Sequence, residues 1–151
     1  SLKNMLQKNI QIIWQTGDIY FKQYKYFSSD EVIVKSFIDN INEAYIASDI
    51  VVARAGATTI AELTAFGIPS ILIPSPNVAE NHQYFNAKSL SEQNAAILLD
   101  NKDVDCKLIE TIDALLFDEK KRLEIAKNAK LLGKPEATEI IAKRAIEMTV
   151  S

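Results

Sequence analysis

Little in this sequence can serve redox or metal chemistry. Its 151 residues include one cysteine, Cys106, and one histidine, His82. A lone cysteine cannot close an internal disulfide, which fits a reducing compartment. A zinc site built from Cys and His lacks its ligands. Glycine is scarce as well, 4 residues in the chain against about 7% in average proteins. Each of Gly17, Gly56, Gly67 and Gly133 is therefore expected to answer a backbone need. No apolar run approaches the roughly 20 residues of a membrane-spanning helix, and no secretory pattern opens the sequence. Positive charge is not in excess either. The net charge is −3, which points away from nucleic acid and from a strongly basic membrane-binding surface.

What is present is ordinary for a folded domain: 48% apolar and 25% charged residues. That composition excludes disorder, a collagen-like fibre and a disulfide-stapled miniprotein. Short β-branched runs alternate with stretches of helical period. Strands are predicted at Ile10–Gln15, Glu31–Phe37, Asp49–Arg54, Ser70–Pro74 and Ala95–Leu99. The third and fourth are nearly continuous apolar runs, as expected for strands covered on both faces. Helices are predicted over about 40–48, 57–66, 81–93, 105–117, 119–132 and 136–148. Gly67 with Pro69, and Gly133 with Pro135, read as helix stops. The alternation predicts an α/β fold with a right-handed parallel sheet. No repeat or linker divides it, so residues 1–151 read as one domain. The opening Ser1-Leu2-Lys3-Asn4-Met5-Leu6 reads as the middle of a helix, so the domain is expected to be partial.

The densest chemical signal is Arg54-Ala55-Gly56-Ala57-Thr58-Thr59-Ile60-Ala61-Glu62, where a strand gives way to a helix. In an open α/β sheet that is the ligand-binding edge. Gly56 is expected to permit a tight turn and close approach of a ligand. The amides of Ala57, Thr58 and Thr59, backed by the helix dipole, suit a phosphate. Glu62 follows Thr59 and Thr58 by three and four residues, so all three share one side of the helix. Its carboxylate can accept two hydrogen bonds from a sugar diol. A purely structural pattern fits the same residues: Thr58 or Thr59 as the cap, with Glu62 closing a capping box.

A second cluster follows the fourth strand, Pro74-Ser75-Pro76-Asn77-Val78-Ala79-Glu80-Asn81-His82-Gln83-Tyr84-Phe85-Asn86-Ala87. Asn81, His82, Gln83 and Asn86 gather neutral donors and acceptors suited to sugar hydroxyls at one helix start. The structural alternative makes Asn81 a cap followed by solvated positions. Asp103-Val104-Asp105 matches an acid–any–acid metal pattern but precedes a helix, where capping explains it better. Lys120, Lys121, Arg122, Lys127 and Lys130 read as the wet face of an amphipathic helix. Trp14 reads as core.

Together these segments resemble the MurG-type N-acetylglucosaminyltransferases of peptidoglycan synthesis. The likeness runs from Ile12-Ile13-Trp14-Gln15-Thr16-Gly17 through Phe37-Ile38-Asp39-Asn40 and Ser48-Asp49-Ile50-Val51-Val52-Ala53-Arg54-Ala55-Gly56-Ala57. It continues through Thr59, Glu62 and Gly67-Ile68-Pro69 to His82-Gln83 and Asn86-Ala87, covering about residues 10 to 148. The Arg-Ala-Gly-Ala-x-Thr-x-x-Glu and His-Gln-x-x-Asn-Ala pair is far more specific in this order and spacing than either motif alone, and it favours ligand binding over the structural alternatives.

The resemblance implies the C-terminal, donor-binding half of a GT-B glycosyltransferase, Rossmann-like, with UDP-N-acetylglucosamine as substrate and no metal or other cofactor. It implies uracil at the Ile38 backbone, with Phe37 and Asp39 shaping the pocket. Diphosphate and ribose fall to Ala57, Thr58 and Thr59, the ribose hydroxyls to Glu62, and the N-acetylglucosamine hydroxyls to His82 and Gln83. Arg54, Gly56 and Asn86 are supporting residues. His82 stands where relatives often have glutamine, and Thr58 where they often have leucine. The family's glycine-rich loop and central first strand should precede Ser1, as should the N-terminal acceptor domain, which supplies the catalytic base and meets lipid I. No catalytic residue is expected within this chain, and the whole enzyme is expected at the cytoplasmic face of the bacterial inner membrane. Two alternatives remain: another UDP-sugar-dependent GT-B transferase, or a non-catalytic nucleotide-sugar-binding module.

Overall fold

A computed structural model describes residues 5–76 and 81–149. Ser1–Asn4 of the opening segment and Asn77–Glu80 of the second cluster lie outside the described residues. The chain divides into two compact units, Ser1–Ser48 and Asp49–Ser151.

In the first unit, strand β1 (Ile12–Gln15) pairs in parallel with β2 (Val32–Lys35), Ile12 opposite Val32 and Gln15 opposite Lys35. Between them run helix α1 (Asp18–Tyr24) and a 3₁₀ turn (Lys25–Phe27), and helix α2 (Ile41–Ile46) follows β2. Val32 and Val34 alternate with exposed Ile33 and Lys35, so one face of β2 carries the core, together with Tyr45. Trp14 is half-buried rather than enclosed, stacked on Tyr24 at 4.8 Å and near Phe27 at 6.3 Å.

The second unit is a parallel sheet in the order β3 (Val51–Ala53), β4 (Ser70–Leu72), β5 (Ile97–Leu98). Helix α3 (Ala57–Phe66) links β3 to β4, and α4 (His82–Glu92) lies between β4 and β5. A 3₁₀ turn (Asn101–Asp103) leads into α5 (Val104–Leu116), α6 (Glu119–Leu132) and α7 (Ala137–Thr149). Central β4 is buried throughout, as its apolar run requires. Its neighbour β3 departs from the expectation. It is an edge strand of this sheet, and Val52 is 40% exposed. The core gathers Leu63, Ile71, Leu72, Leu115 and Ile125 between the sheet, α3, α5 and α6.

Two glycines explain how α3 and α6 meet. Gly67 ends α3 at φ 70°, donating to the carbonyls of Leu63 and Thr64, and Ile68 donates to Leu63. Gly133 ends α6 with extended backbone, so it does not repeat that motif. A Cβ there would sit 2.6 Å from the Thr64 carbonyl oxygen, and close approach demands the glycine. The basic stripe of α6 does more than face water. Lys130 Nζ donates to the Ala65 carbonyl and Arg122 Nη1 to the Leu116 carbonyl, closing the C-terminal turns of α3 and α5.

Candidate functional site

In the second unit the chemistry-bearing residues lie at the carboxyl ends of the strands. Arg54 follows β3, and its Nη1 donates to Asn101 Oδ1 at 2.7 Å and to the Pro74 carbonyl at 3.2 Å. One guanidinium thus ties together the segments that leave β3, β4 and β5. Asn86 of α4 donates from Nδ2 to the carbonyl of buried Ala55 at 3.3 Å. Gln83 accepts at Oε1 from the Ser75 amide at 2.9 Å. The β3–α3 turn and the loop after β4 are therefore held by side chains from Arg54 and α4.

Helix α3 begins at Ala57, with Gly56 as its N-cap and no side-chain capping bond. The capping box is therefore not formed, because the cap position falls at Gly56 and Thr58 and Thr59 already lie inside the first turn. The amides of Ala57, Thr58 and Thr59 belong to the first turn and have no intrahelical acceptor. They carry the positive end of the helix dipole. Glu62, half-buried, stands in the next turn.

Gly56 itself corrects the expectation of a tight turn. At φ −67° and ψ 147° it adopts backbone open to any residue. A Cβ added there would meet only Thr59 Oγ1, at an ordinary 3.9 Å. Neither conformation nor internal packing asks for glycine. Apart from Thr59 Oγ1, a side chain at this position would enter open space at the start of α3.

Asn81 precedes α4 with φ 54° and makes no side-chain capping bond, so the simple cap reading fails there too. Asparagine tolerates that left-handed conformation better than most residues. His82 is exposed at the first position of α4. Asp103 occupies the N-cap position of α5 without a capping bond, and its carboxylate pairs with Lys107 Nζ at 3.1 Å. Among the described residues, no three His, Cys, Asp or Glu side chains form a group able to hold a metal ion.

In the first unit, the end of β1 is stitched to the segment after β2. Thr16 and Gly17 donate their amides to the carbonyls of Lys35 (2.9 Å) and Ser36 (3.1 Å). Gln15 Oε1 accepts from the Ile38 amide at 2.9 Å. Phe37 is 62% exposed and Asp39 is exposed in the following turn. Sequence reasoning assigned no role to Gln15 or Asn101. Gln15 stands within a quoted motif at a strand's end, which was the available signal, whereas nothing marked Asn101.

Parallel strands, helical crossovers and polar residues at the strand ends define a Rossmann-like α/β architecture, the one found in each half of a GT-B glycosyltransferase. Solved structures agree. The crystal structure of Acinetobacter baumannii MurG superposes with a TM-score of 0.76 at 25% identity, covering 88% of this chain and 42% of that one. The spinosyn forosaminyltransferase SpnP gives 0.61 at 20% identity, covering 93% and 35%, a likeness of fold alone. The model of the glycosyltransferase family 28 C-terminal domain matches residues 1–141, and the chain belongs to that family.

Among curated relatives, the UDP-N-acetylglucosamine--N-acetylmuramyl-(pentapeptide) pyrophosphoryl-undecaprenol N-acetylglucosamine transferase of Flavobacterium psychrophilum is 43% identical over 148 residues, 97% of this chain. The transferase of the same name from Bacillus licheniformis is 44% identical over 146 residues, 92% of this chain. In both cases the chain spans 40% of the relative's length.

Proposed function

We propose that this chain is the UDP-N-acetylglucosamine-binding half of an inverting N-acetylglucosaminyltransferase that converts lipid I to lipid II. In the whole enzyme the muramoyl 4-hydroxyl of lipid I attacks C1 of the donor sugar. The bond from C1 to the diphosphate breaks, UDP leaves, and the attacking hydroxyl gives its proton to a base outside this chain. The acceptor domain contributes that base and the contact with the cytoplasmic face of the membrane. Among the described residues, no helix of this chain is long and apolar enough to cross a membrane.

The roles follow the family resemblance residue by residue. Ile38, flanked by Phe37 and Asp39, takes the uracil. Ala57, Thr58 and Thr59 take the diphosphate and its ribose, Glu62 the ribose hydroxyls, and His82 and Gln83 the sugar. Because Gln83 Oε1 already accepts from Ser75, its amide nitrogen presents donors to the sugar oxygens. Fixed amides facing a departing diphosphate stabilise the charge that develops on it without reorganisation, and they need no divalent metal.

The observation that carries this reading is the uncapped first turn of α3 behind a glycine that the fold itself does not need. Gly56→Ala and Gly56→Val test it, with UDP affinity and melting temperature measured together. UDP binding should weaken stepwise with side-chain size, by about tenfold or more for valine, while the melting temperature stays within a few degrees. Full UDP affinity in a folded Gly56→Val variant would contradict a diphosphate at this turn.

A further inference from the structure

Arg54 and Gln83 hold opposite sides of one peptide group. Arg54 Nη1 donates to the Pro74 carbonyl at 3.2 Å, and the Ser75 amide donates to Gln83 Oε1 at 2.9 Å. That carbonyl and that amide belong to the same planar unit. Turning the carbonyl therefore turns the N–H with it, and with the N–H the carboxamide of Gln83. Pro74 is not the tightest partner of Arg54. Its Nη1 lies 2.7 Å from Asn101 Oδ1, against 3.2 Å from the Pro74 carbonyl and 3.4 Å from that of Ile73. Arg54 is exposed, and a long cationic side chain in water keeps one direction only where acceptors hold it.

We propose that Asn101 is a positioning residue for the donor sugar. Its Oδ1 fixes the Arg54 guanidinium, the guanidinium fixes the Pro74–Ser75 peptide, and the peptide fixes the Gln83 carboxamide. Gln83 is thereby held with its oxygen on Ser75 and its Nε2 donors left for the sugar hydroxyls. This rests on the reading above that Gln83 takes the sugar, and it extends that contact to a residue beyond β5. Asn101 opens the 3₁₀ turn that follows β5, so the third strand of the sheet acts on sugar binding through Arg54. The contacts assigned to the nucleotide lie on α3 and in the first unit, outside this chain of bonds. The effect of Asn101 therefore falls on the sugar and not on UDP.

The test measures UDP and UDP-N-acetylglucosamine affinities by calorimetry for the 151-residue chain, for Asn101→Ala, Asn101→Asp and Gln83→Ala, and for the two alanine changes combined. Asn101→Ala should lower the ratio of UDP-N-acetylglucosamine to UDP affinity by about fivefold, with UDP affinity and melting temperature nearly unmoved. Asn101→Asp keeps an oxygen acceptor for Arg54 and should retain the ratio. Gln83→Ala should lower it at least as far as Asn101→Ala. The combined variant should fall no further than Gln83→Ala, because the two residues act through one chain of bonds. The assignment is overturned by an unchanged ratio in Asn101→Ala, by an equal loss of both ligands, by a ratio that falls as far in Asn101→Asp, or by additive effects in the combined variant. An unchanged ratio in Gln83→Ala overturns it together with the sugar contact of Gln83. A lowered ratio in Gln83→Ala beside an unchanged one in Asn101→Ala removes Asn101 alone.

Discussion

Glu62 stands one helical turn beyond Thr58 and Thr59, so a carboxylate that accepts hydrogen bonds lies on the same side of α3 as amides that donate them. That polarity matches a nucleotide, whose phosphates accept and whose ribose hydroxyls donate. Hydrogen bonds to a charged group contribute about 1.5–3 kcal/mol. Glu62→Ala should therefore weaken UDP binding by roughly 10–150-fold, and Glu62→Gln, which keeps the shape and one acceptor, by less. A 2′,3′-dideoxy analogue of UDP should bind both variants nearly as it binds the unaltered protein, since it lacks the partner hydroxyls. A lowered melting temperature with intact UDP affinity would make Glu62 a structural residue instead. The position of Glu62 on α3, one turn past Thr58 and Thr59, was legible in the sequence because it depends on local spacing alone. Gln15 and Asn101 were not, because their partners stand 23 and 47 residues away and only the fold brings them together.

At the scale of elements, the N-terminus of α3 is asked to hold a diphosphate by itself. UDP affinity should then be the same in EDTA as in excess magnesium or manganese, as calorimetry can establish. Binding that disappears in EDTA and returns with metal would move the diphosphate off the helix. The junction of α3 with α6 makes a separate demand. Gly133→Ala puts a methyl 2.6 Å from the Thr64 carbonyl oxygen, and overpacking of this kind costs about 1–3 kcal/mol. Denaturant unfolding should show that loss. Equal stability would mean that the helices slide apart freely. The predicted α3 matches its observed span from Ala57 to Phe66, because an apolar strand precedes it and Gly67 ends it. Helix α1 was missed for a physical reason: its seven residues make only about two turns, too few for a 3.6-residue period to stand out from a loop. The strands proved shorter than their apolar runs because ladder pairing ends before the run does. Single bonds such as Ile73 to Ala53 and Leu99 to Leu72 continue past the paired residues.

For the molecule as a whole, family membership sets an expectation about division of labour. The chain matches a C-terminal domain model and spans 40% of its relatives' length, so donor binding and sugar transfer should be separable. A purified sample should bind nucleotide yet transfer no N-acetylglucosamine to a lipid I analogue, and measurable transfer would place a catalytic base within these 151 residues. Calorimetric titration of the chain with UDP-N-acetylglucosamine, set against GDP-mannose, tests the central claim most directly. Saturable binding of UDP-N-acetylglucosamine at one site, with GDP-mannose weaker by about a hundredfold or more, is the expected result. Equal binding of the two, or none of either, would contradict a donor site for this sugar nucleotide.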